Sequence, residues 1–313
     1  MANIIGNFQT VWYSLSRIEN SVFSPQLKLF KTSDDDFLEL DFYEINSQSL
    51  TLIFHGLESS SKQAYVLGMT NRALEFGSDV IAVNFRGCGK EMNKQFRSYH
   101  SGASDDLKEL IDYYVSNYKL VNSVGFSLGA NVLLKYLGEN PKNCLNSAIA
   151  ISSPLDLFKT VKNLENNFFG IYQQHFLKKL KSKLVRKAKL FPEHLKMKEI
   201  EKISTLKALD DYYTAPAHGF KDALDYYSKC SSIHFLSSIQ TPCLIINALN
   251  DPFYTGINYK QIVSDIQNPN LEWCLPKFGG HVGFGKCGKK TYFHEEEAMK
   301  FWKRVSTNKK HSI

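Results

Sequence analysis

Five residues, Gly125-Phe126-Ser127-Leu128-Gly129, have the types and spacing that turn a serine hydroxyl into a nucleophile. A serine with a glycine two positions away on either side can occupy a turn too tight for larger neighbours, so that its Oγ projects from the chain. Such a hydroxyl attacks a carbonyl carbon when an imidazole takes its proton and a carboxylate orients that imidazole. The candidate partners come late in the chain. Asp251 lies in Asn250-Asp251-Pro252, after the apolar run 243–249, and His281 follows Gly279-Gly280, after the run 271–275. Asp265 is the weaker acid, because Asp251 ends a strand pattern, where sheet enzymes place their chemistry. His294 is the weaker base, since it opens a terminal helical pattern. An oxyanion formed at the substrate carbonyl needs N–H donors aimed at it. Leu128 can give one from the start of the helix after the serine. Leu57 can give the other, just past a strand that ends in His55-Gly56. His55 itself reads as a brace for that loop.

These groups need a framework that brings distant segments to one edge. A β-favouring run, 121–124, leads into the serine, and the apolar spacing of 130–137 predicts a helix after it, which is the strand–turn–helix setting the motif requires. Upstream, 27–32 and 37–42 read as two strands joined by the turn Ser33-Asp34-Asp35-Asp36, expected to be solvated. Strands at 49–55 and 79–85 alternate with helices at 64–76 and 104–118, and another strand is expected at 147–152. Strand patterning then stops over 155–236, a helical, lysine-rich and aromatic-rich stretch with Pro192 and Pro216 as breaks, and resumes at 242–249 and 271–275. The alternation predicts an α/β fold with a mostly parallel, doubly wound sheet of eight strands. Residues 1–313 then form one domain, with 155–236 inserted as a helical lid and 1–26 as an amphipathic N-terminal arm.

Composition narrows the function further. The chain has 313 residues, 43% hydrophobic, with a formal charge of +7. Its start has neither a basic stretch nor a long apolar run of the kind a secretory signal needs. The six cysteines include no C-x-x-C pair and no metal-ligand spacing with histidine. That pattern predicts free thiols in a reducing cytoplasm, and no metal or organic cofactor. Residues 280–287 nearly spell a phosphate-binding loop, but Cys287 stands where a magnesium-binding Ser or Thr belongs. The basic residues lack the interleaving of a nucleic-acid reader, so no nucleic-acid partner is expected. One basic concentration stands out, at 175–191. Leu177, Leu180, Leu184, Ala188 and Phe191 make an apolar stripe there, and Lys178, Lys179, Lys181, Lys183, Arg186, Lys187 and Lys189 crowd the remaining surface. This face could meet an anionic membrane surface.

Several stretches together resemble the YheT-like branch of the α/β-hydrolase superfamily. They are G-N-F-Q-T, D-F-L-E-L-D-F, H-G-L-E-S-S, N-F-R-G-C-G-K-E-M-N, S-Y-H-S-G-A-S-D-D-L, G-F-S-L-G-A-N-V-L-L-K-Y-L-G-E, T-A-P-A-H-G-F, N-D-P-F and G-G-H-V-G-F. Departures from the family pattern are Phe8, Ser59 in the loop after Leu57, and Gly89-Lys90. The resemblance supports Ser127, Asp251 and His281 as a triad and implies hydrolysis of an acyl ester or lipid through a covalent acyl-enzyme. An acyltransferase on the same triad and a non-catalytic ligand-binding relative are the alternatives.

Overall fold

The computed structural model describes residues 2–285 and 291–310. Lys286 and Cys287 of the phosphate-loop-like stretch lie outside them. The strands are β1 (Gln26–Lys31), β2 (Phe37–Tyr43), β3 (Ser49–Phe54), β4 (Asp79–Asn84), β5 (Leu120–Phe126), β6 (Ser147–Ile151), β7 (Cys243–Ile246) and β8 (Leu271–Cys274). They form one sheet in the order β1-β2-β4-β3-β5-β6-β7-β8. β2 runs antiparallel to β1 and β4, and all other pairs are parallel. Every residue of β4 is buried, and its period of two divides it between two cores. Ile81 and Val83 pack with Leu107 and Leu110 on one face; Val80 and Ala82 pack with Val66 and Met69 on the other.

The helices are α1 (Ala2–Ser16), α2 (Ala64–Glu75), α3 (Ser104–Val115), α4 (Leu128–Glu139), α5 (Leu157–Asn166), α6 (Ile171–Leu190), α7 (Met197–Lys202), α8 (Leu206–Leu209), α9 (Ala215–Ala217), α10 (Ala223–Cys230), α11 (Tyr259–Asp265) and α12 (Phe293–Lys310). α5 to α10 come between β6 and β7, as a helical insertion. Leu177 and Leu184 of α6 join the larger core. Pro216 does not break the insertion as expected. It lies in α9, directly after a π-helical turn, Asp210–Thr214. A proline lacks an N–H and crowds the carbonyl four residues back, here that of Tyr212, and the widened turn absorbs both effects. Among the described residues, no helix is long and apolar enough to cross a membrane.

Two expectations about charge are corrected. The acidic turn is not simply solvated. The Arg86 side chain is fully buried and takes Asp34 at 2.8 Å, Asp36 at 2.9 Å and Asp106 at 2.6 Å. Arg97 adds bonds to Asp34 at 2.8 Å and Asp105 at 2.6 Å. Asp36 also accepts the backbone N–H groups of Lys94 and Gln95, at 2.8 and 3.1 Å. Only Asp35 points outward, with its side chain 70% exposed. Burial opposes the Asp34 charge, yet Arg86, Thr32 and Arg97 together hold its carboxyl below the ordinary range. The cluster ties the β1–β2 turn, the loop after β4 and the start of α3 together.

The basic helix α6 is likewise only partly free. Lys187 is buried and donates to Asn93 Oδ1 at 2.7 Å, Ser98 Oγ at 3.0 Å and the Arg97 carbonyl at 3.2 Å. Burial brings its ammonium down to about 7. Lys183 pairs with Glu58 at 2.7 Å, and Lys181 donates to the carbonyls of Glu201 and Ile203. Positions 183 and 187, one turn apart, flank the apolar stripe and turn inward with it. Lys178, Lys179, Arg186 and Lys189 remain exposed.

Arg86→Met would leave buried Asp36 without its ion-pair partner, and Asp34 and Asp106 with only the partly exposed Arg97 to face. The expected loss is about 3–5 kcal/mol of stability, read as a lower urea midpoint at neutral pH.

Candidate active site

Four parallel pairings bring the C-terminal ends of the central strands level. Phe54 pairs with Gly125, Phe126 with Ile151, Ile151 with Ile246, and Ile246 with Cys274. The loops after β3, β5, β6, β7 and β8 therefore open on one edge, as expected for a doubly wound sheet.

Ser127 sits between β5 and α4 with φ 51° and ψ −117°. A non-glycine residue with positive φ is strained, by about 1–3 kcal/mol. Its N–H donates to the Ile151 carbonyl at 2.8 Å, which fastens the turn to β6. The two elbow glycines permit the crowding around it. A Cβ on Gly125 would lie 2.5 Å from the Gly129 carbonyl oxygen, and one on Gly129 would lie 2.6 Å from that of His55.

The structure brings Ser127, His281 and Asp251 into one chain of hydrogen bonds. His281 Nε2 lies 2.9 Å from Ser127 Oγ, and His281 Nδ1 lies 2.9 Å from Asp251 Oδ2. A carboxylate only accepts, so the ring proton belongs on Nδ1, leaving Nε2 to accept from the serine. Asp251 is buried, and its Oδ1 accepts the Phe253 N–H at 2.9 Å. Each carboxylate oxygen thus has its own task. The imidazole lies against Phe253, with centroids 4.0 Å apart and planes at 24°, and meets Tyr254 edge-on. These contacts leave it little freedom to turn.

Leu57 follows the end of β3, and Leu128 is the first residue of α4. A Cβ on Gly56 would come within 3.1 Å of Ser127 Cβ, so the loop after β3 touches the elbow directly. Neither the Leu57 N–H nor the Leu128 N–H donates to any described residue. The loop is braced on both sides. Tyr65 Oη accepts the Gly56 N–H at 3.0 Å and bonds Ser59 Oγ at 2.6 Å, while Tyr99 Oη accepts the Glu58 N–H at 2.8 Å. Ser59, a departure from the family pattern, thereby ties the loop to α2. His55 Nδ1 meets the Gly56 carbonyl at 2.7 Å, and its Nε2 accepts the Phe85 N–H at 3.2 Å. Burial pulls this imidazole down to about 4, so it stays neutral at physiological pH. His294 lies apart from the serine's partners, fully buried against Phe126 and Phe284. Burial holds it well below the usual histidine range, and neither of its nitrogens has a hydrogen-bond partner among the described residues.

The N-terminal arm contributes residues to which sequence reasoning gave no role. Thr10 Oγ1 accepts the His281 N–H at 2.8 Å. Gln9 Oε1 accepts from Asn250 Nδ2 at 2.8 Å and from the Gly279 N–H at 3.1 Å. Helix α1 thus grips the loops that carry both Asp251 and His281. The G-N-F-Q-T stretch was the available signal, but nothing local says what it touches.

Two cavities meet at Ser127. One, of about 400 Å³, is lined by His281, Val282, Gly283, Arg17, Ile171 and Lys179. The other, of about 100 Å³, runs past Leu128, Leu157, Leu164 and Leu206. No group of acidic, histidine and cysteine side chains suited to a metal ion occurs among the described residues.

Residues 52–285 match the family model described as the alpha/beta hydrolase fold. YheT of Escherichia coli (strain K12) is 32% identical over 84% of this chain and 79% of its own length. The mouse protein named Phospholipase ABHD3 is 28% identical over 82% of this chain, which spans 66% of that relative. Among solved structures, the Pyrococcus furiosus esterase Pf2001 is similar in fold, with a TM-score of 0.61 at 20% identity over 90% of this chain and 91% of that one.

A fluorophosphonate probe should label Ser127, as located by peptide mass spectrometry. His281→Ala should abolish labelling. His294→Ala should leave the labelling rate within a fewfold, and an equal loss in both variants would reject His281 as the base.

Proposed function

The chain belongs to the α/β-hydrolase family and is a carboxylic ester hydrolase; we propose that it cleaves its substrate through a covalent acyl-enzyme on Ser127. The observation that carries this reading is the unbroken Asp251–His281–Ser127 relay beside two unused backbone N–H groups. Ser127 Oγ attacks the ester carbonyl as His281 Nε2 takes its proton. Asp251 holds the imidazole in the productive tautomer and stabilises the imidazolium. The Leu57 and Leu128 amides receive the oxyanion, each worth about 3 kcal/mol in comparable sites. The intermediate collapses as His281 returns the proton to the departing alkoxide. Water, activated by the same histidine, then releases the acid. Each of these steps uses the chain's own side chains and backbone.

The test is steady-state kinetics on a panel of acyl esters. Ser127→Ala should lower kcat by about a millionfold if the three residues act as a unit. Retention of more than a hundredth of the rate would reject the acyl-enzyme. Thr10→Val removes the acceptor for the His281 N–H, together with the hydroxyl's bond to the Gly6 carbonyl one turn back in α1. It should lower kcat by about tenfold with little change in KM, because the imidazole then samples unproductive positions.

A narrower surface contact than the sequence suggested accompanies this reading. The exposed bases Lys178, Lys179, Arg186 and Lys189 stand on α6, and Val11 and Ile171, both exposed, line the larger cavity. Trp12 is 54% exposed and Phe169 97% exposed. Basic and apolar groups together suit an anionic lipid surface, at about 1 kcal/mol per basic residue. Co-sedimentation with vesicles should require anionic lipid, fall at high salt, and fall again in the Lys178→Glu/Lys179→Glu double variant. A reducing, cytoplasmic setting accompanies this reading, because the six cysteines include no C-x-x-C pair and thiols persist in such a compartment.

A further inference from the structure

The two cavities at Ser127 have different chemical duties. His281 must hand its proton to the leaving alcohol, so the alcohol belongs in the cavity that His281 lines. The acyl chain then lies in the smaller one. That cavity also has His100 in its wall. The same imidazole lines a third cavity, of about 580 Å³, bounded by Arg97, Ser104, Lys135, Glu139 and His218. His100 therefore stands in the wall of the acyl space and in that of a larger, more open and more polar cavity.

The His100 ring is held in place. His100 Nδ1 accepts the Gly102 N–H at 3.1 Å. Its ring lies 4.2 Å from that of His218, centroid to centroid, and meets Phe220 and Tyr226 edge-on at 5.6 and 5.5 Å. His218 lies between the two sides of the boundary, its Nδ1 2.7 Å from the Thr214 carbonyl of the insertion and its Nε2 2.9 Å from the Ser98 carbonyl of the sheet domain. A neutral ring donates its one N–H to either. The two histidines come from S-Y-H-S-G and T-A-P-A-H-G-F, stretches more than a hundred residues apart to which the hydrolytic steps give no task.

We infer that His100, propped by His218, sets the upper limit of acyl-chain length, by closing the acyl cavity against the larger void. This rests on the ester-hydrolase reading and deepens it. The acyl cavity, at about 100 Å³, is the smaller of the two that His100 borders, the other being about 580 Å³. A short acyl group fits the smaller space, and a longer one meets His100. The void beyond can accept more chain once the ring is gone. Its charges are matched internally, Lys135 with Glu139 at 2.5 Å and Arg97 with Asp105 at 2.6 Å, so no bare ion would face an incoming methylene.

The experiment measures kcat/KM of the full chain on p-nitrophenyl esters from acetate to dodecanoate. The unsubstituted protein should peak at short acyl groups and decline by at least tenfold toward dodecanoate. In His100→Ala the dodecanoate-to-butyrate ratio should rise by at least tenfold. His218→Ala, which removes the prop, should move the ratio the same way by a smaller factor. A residue needed only for folding would depress all chain lengths alike and leave the ratio unchanged. Varying the alcohol at fixed acyl length supplies the other control, since His100→Ala should not alter discrimination among alcohols. An unchanged acyl ratio in both variants, with turnover intact, would overturn the role of His100 alone. Failure of the unsubstituted protein to hydrolyse any ester in the panel would overturn the hydrolase reading beneath it.

Discussion

A serine fixed at positive φ is the constraint from which the geometry of this site follows. Such a backbone persists only where its surroundings over-determine it. Here β3 and β6 flank β5, the Ser127 N–H is bonded to β6, and the elbow glycines let the turn press against the end of β3. The same turn starts α4 abruptly, so the first amide of that helix, Leu128, has no acceptor among the described residues. Exposed Oγ, free amide and the close approach of the loop carrying Leu57 are thus three results of one backbone conformation.

Charge is handled by matching rather than by exposure. Arg86 is buried because three carboxylates meet its guanidinium, whereas the buried Lys187 has three neutral acceptors and burial weakens its charge. Both systems end on the same stretch of chain. Arg97 joins the carboxylate cluster, its carbonyl accepts from Lys187, and the neighbouring Ser98 carbonyl meets His218. The segment 97–100 is therefore held from the sheet side and from the insertion side at once. That explains how a single imidazole at position 100 can stand as a wall between two cavities rather than swing into either.

What could be read in the sequence was whatever has a local cause. The elbow announces itself because glycine spacing, strand and helix all fall within some twenty residues, and Asp251 and His281 follow from the rule that chemistry sits past strand ends. The succession of strands and helices could be anticipated from alternation alone, and the sheet has the expected eight strands. Contacts between distant segments could not. The acidic turn at 33–36 looks like any polar hairpin loop until Arg86 is brought to it. The lysines at 183 and 187 look solvated until loops from the other side of the insertion meet them. Gln9 and Thr10 have no periodicity or motif chemistry of their own, and His100 and His218 are ordinary histidines until the fold stacks them. Pro216 misled for the opposite reason: its local rule is sound, but a π-turn satisfies it without ending the helix.

The grip of α1 on the histidine loop has a consequence for how the molecule comes into being. Thr10 and His281 are separated by 271 positions in the chain. During synthesis from the N-terminus, the elbow and its serine emerge and can fold long before β7, β8 and the loop that bears the imidazole exist. Helix α1 must meanwhile wait without its eventual partners. A nascent chain therefore carries its nucleophile early but without its base, and α1 can take hold of the histidine loop only after residue 281 has been made.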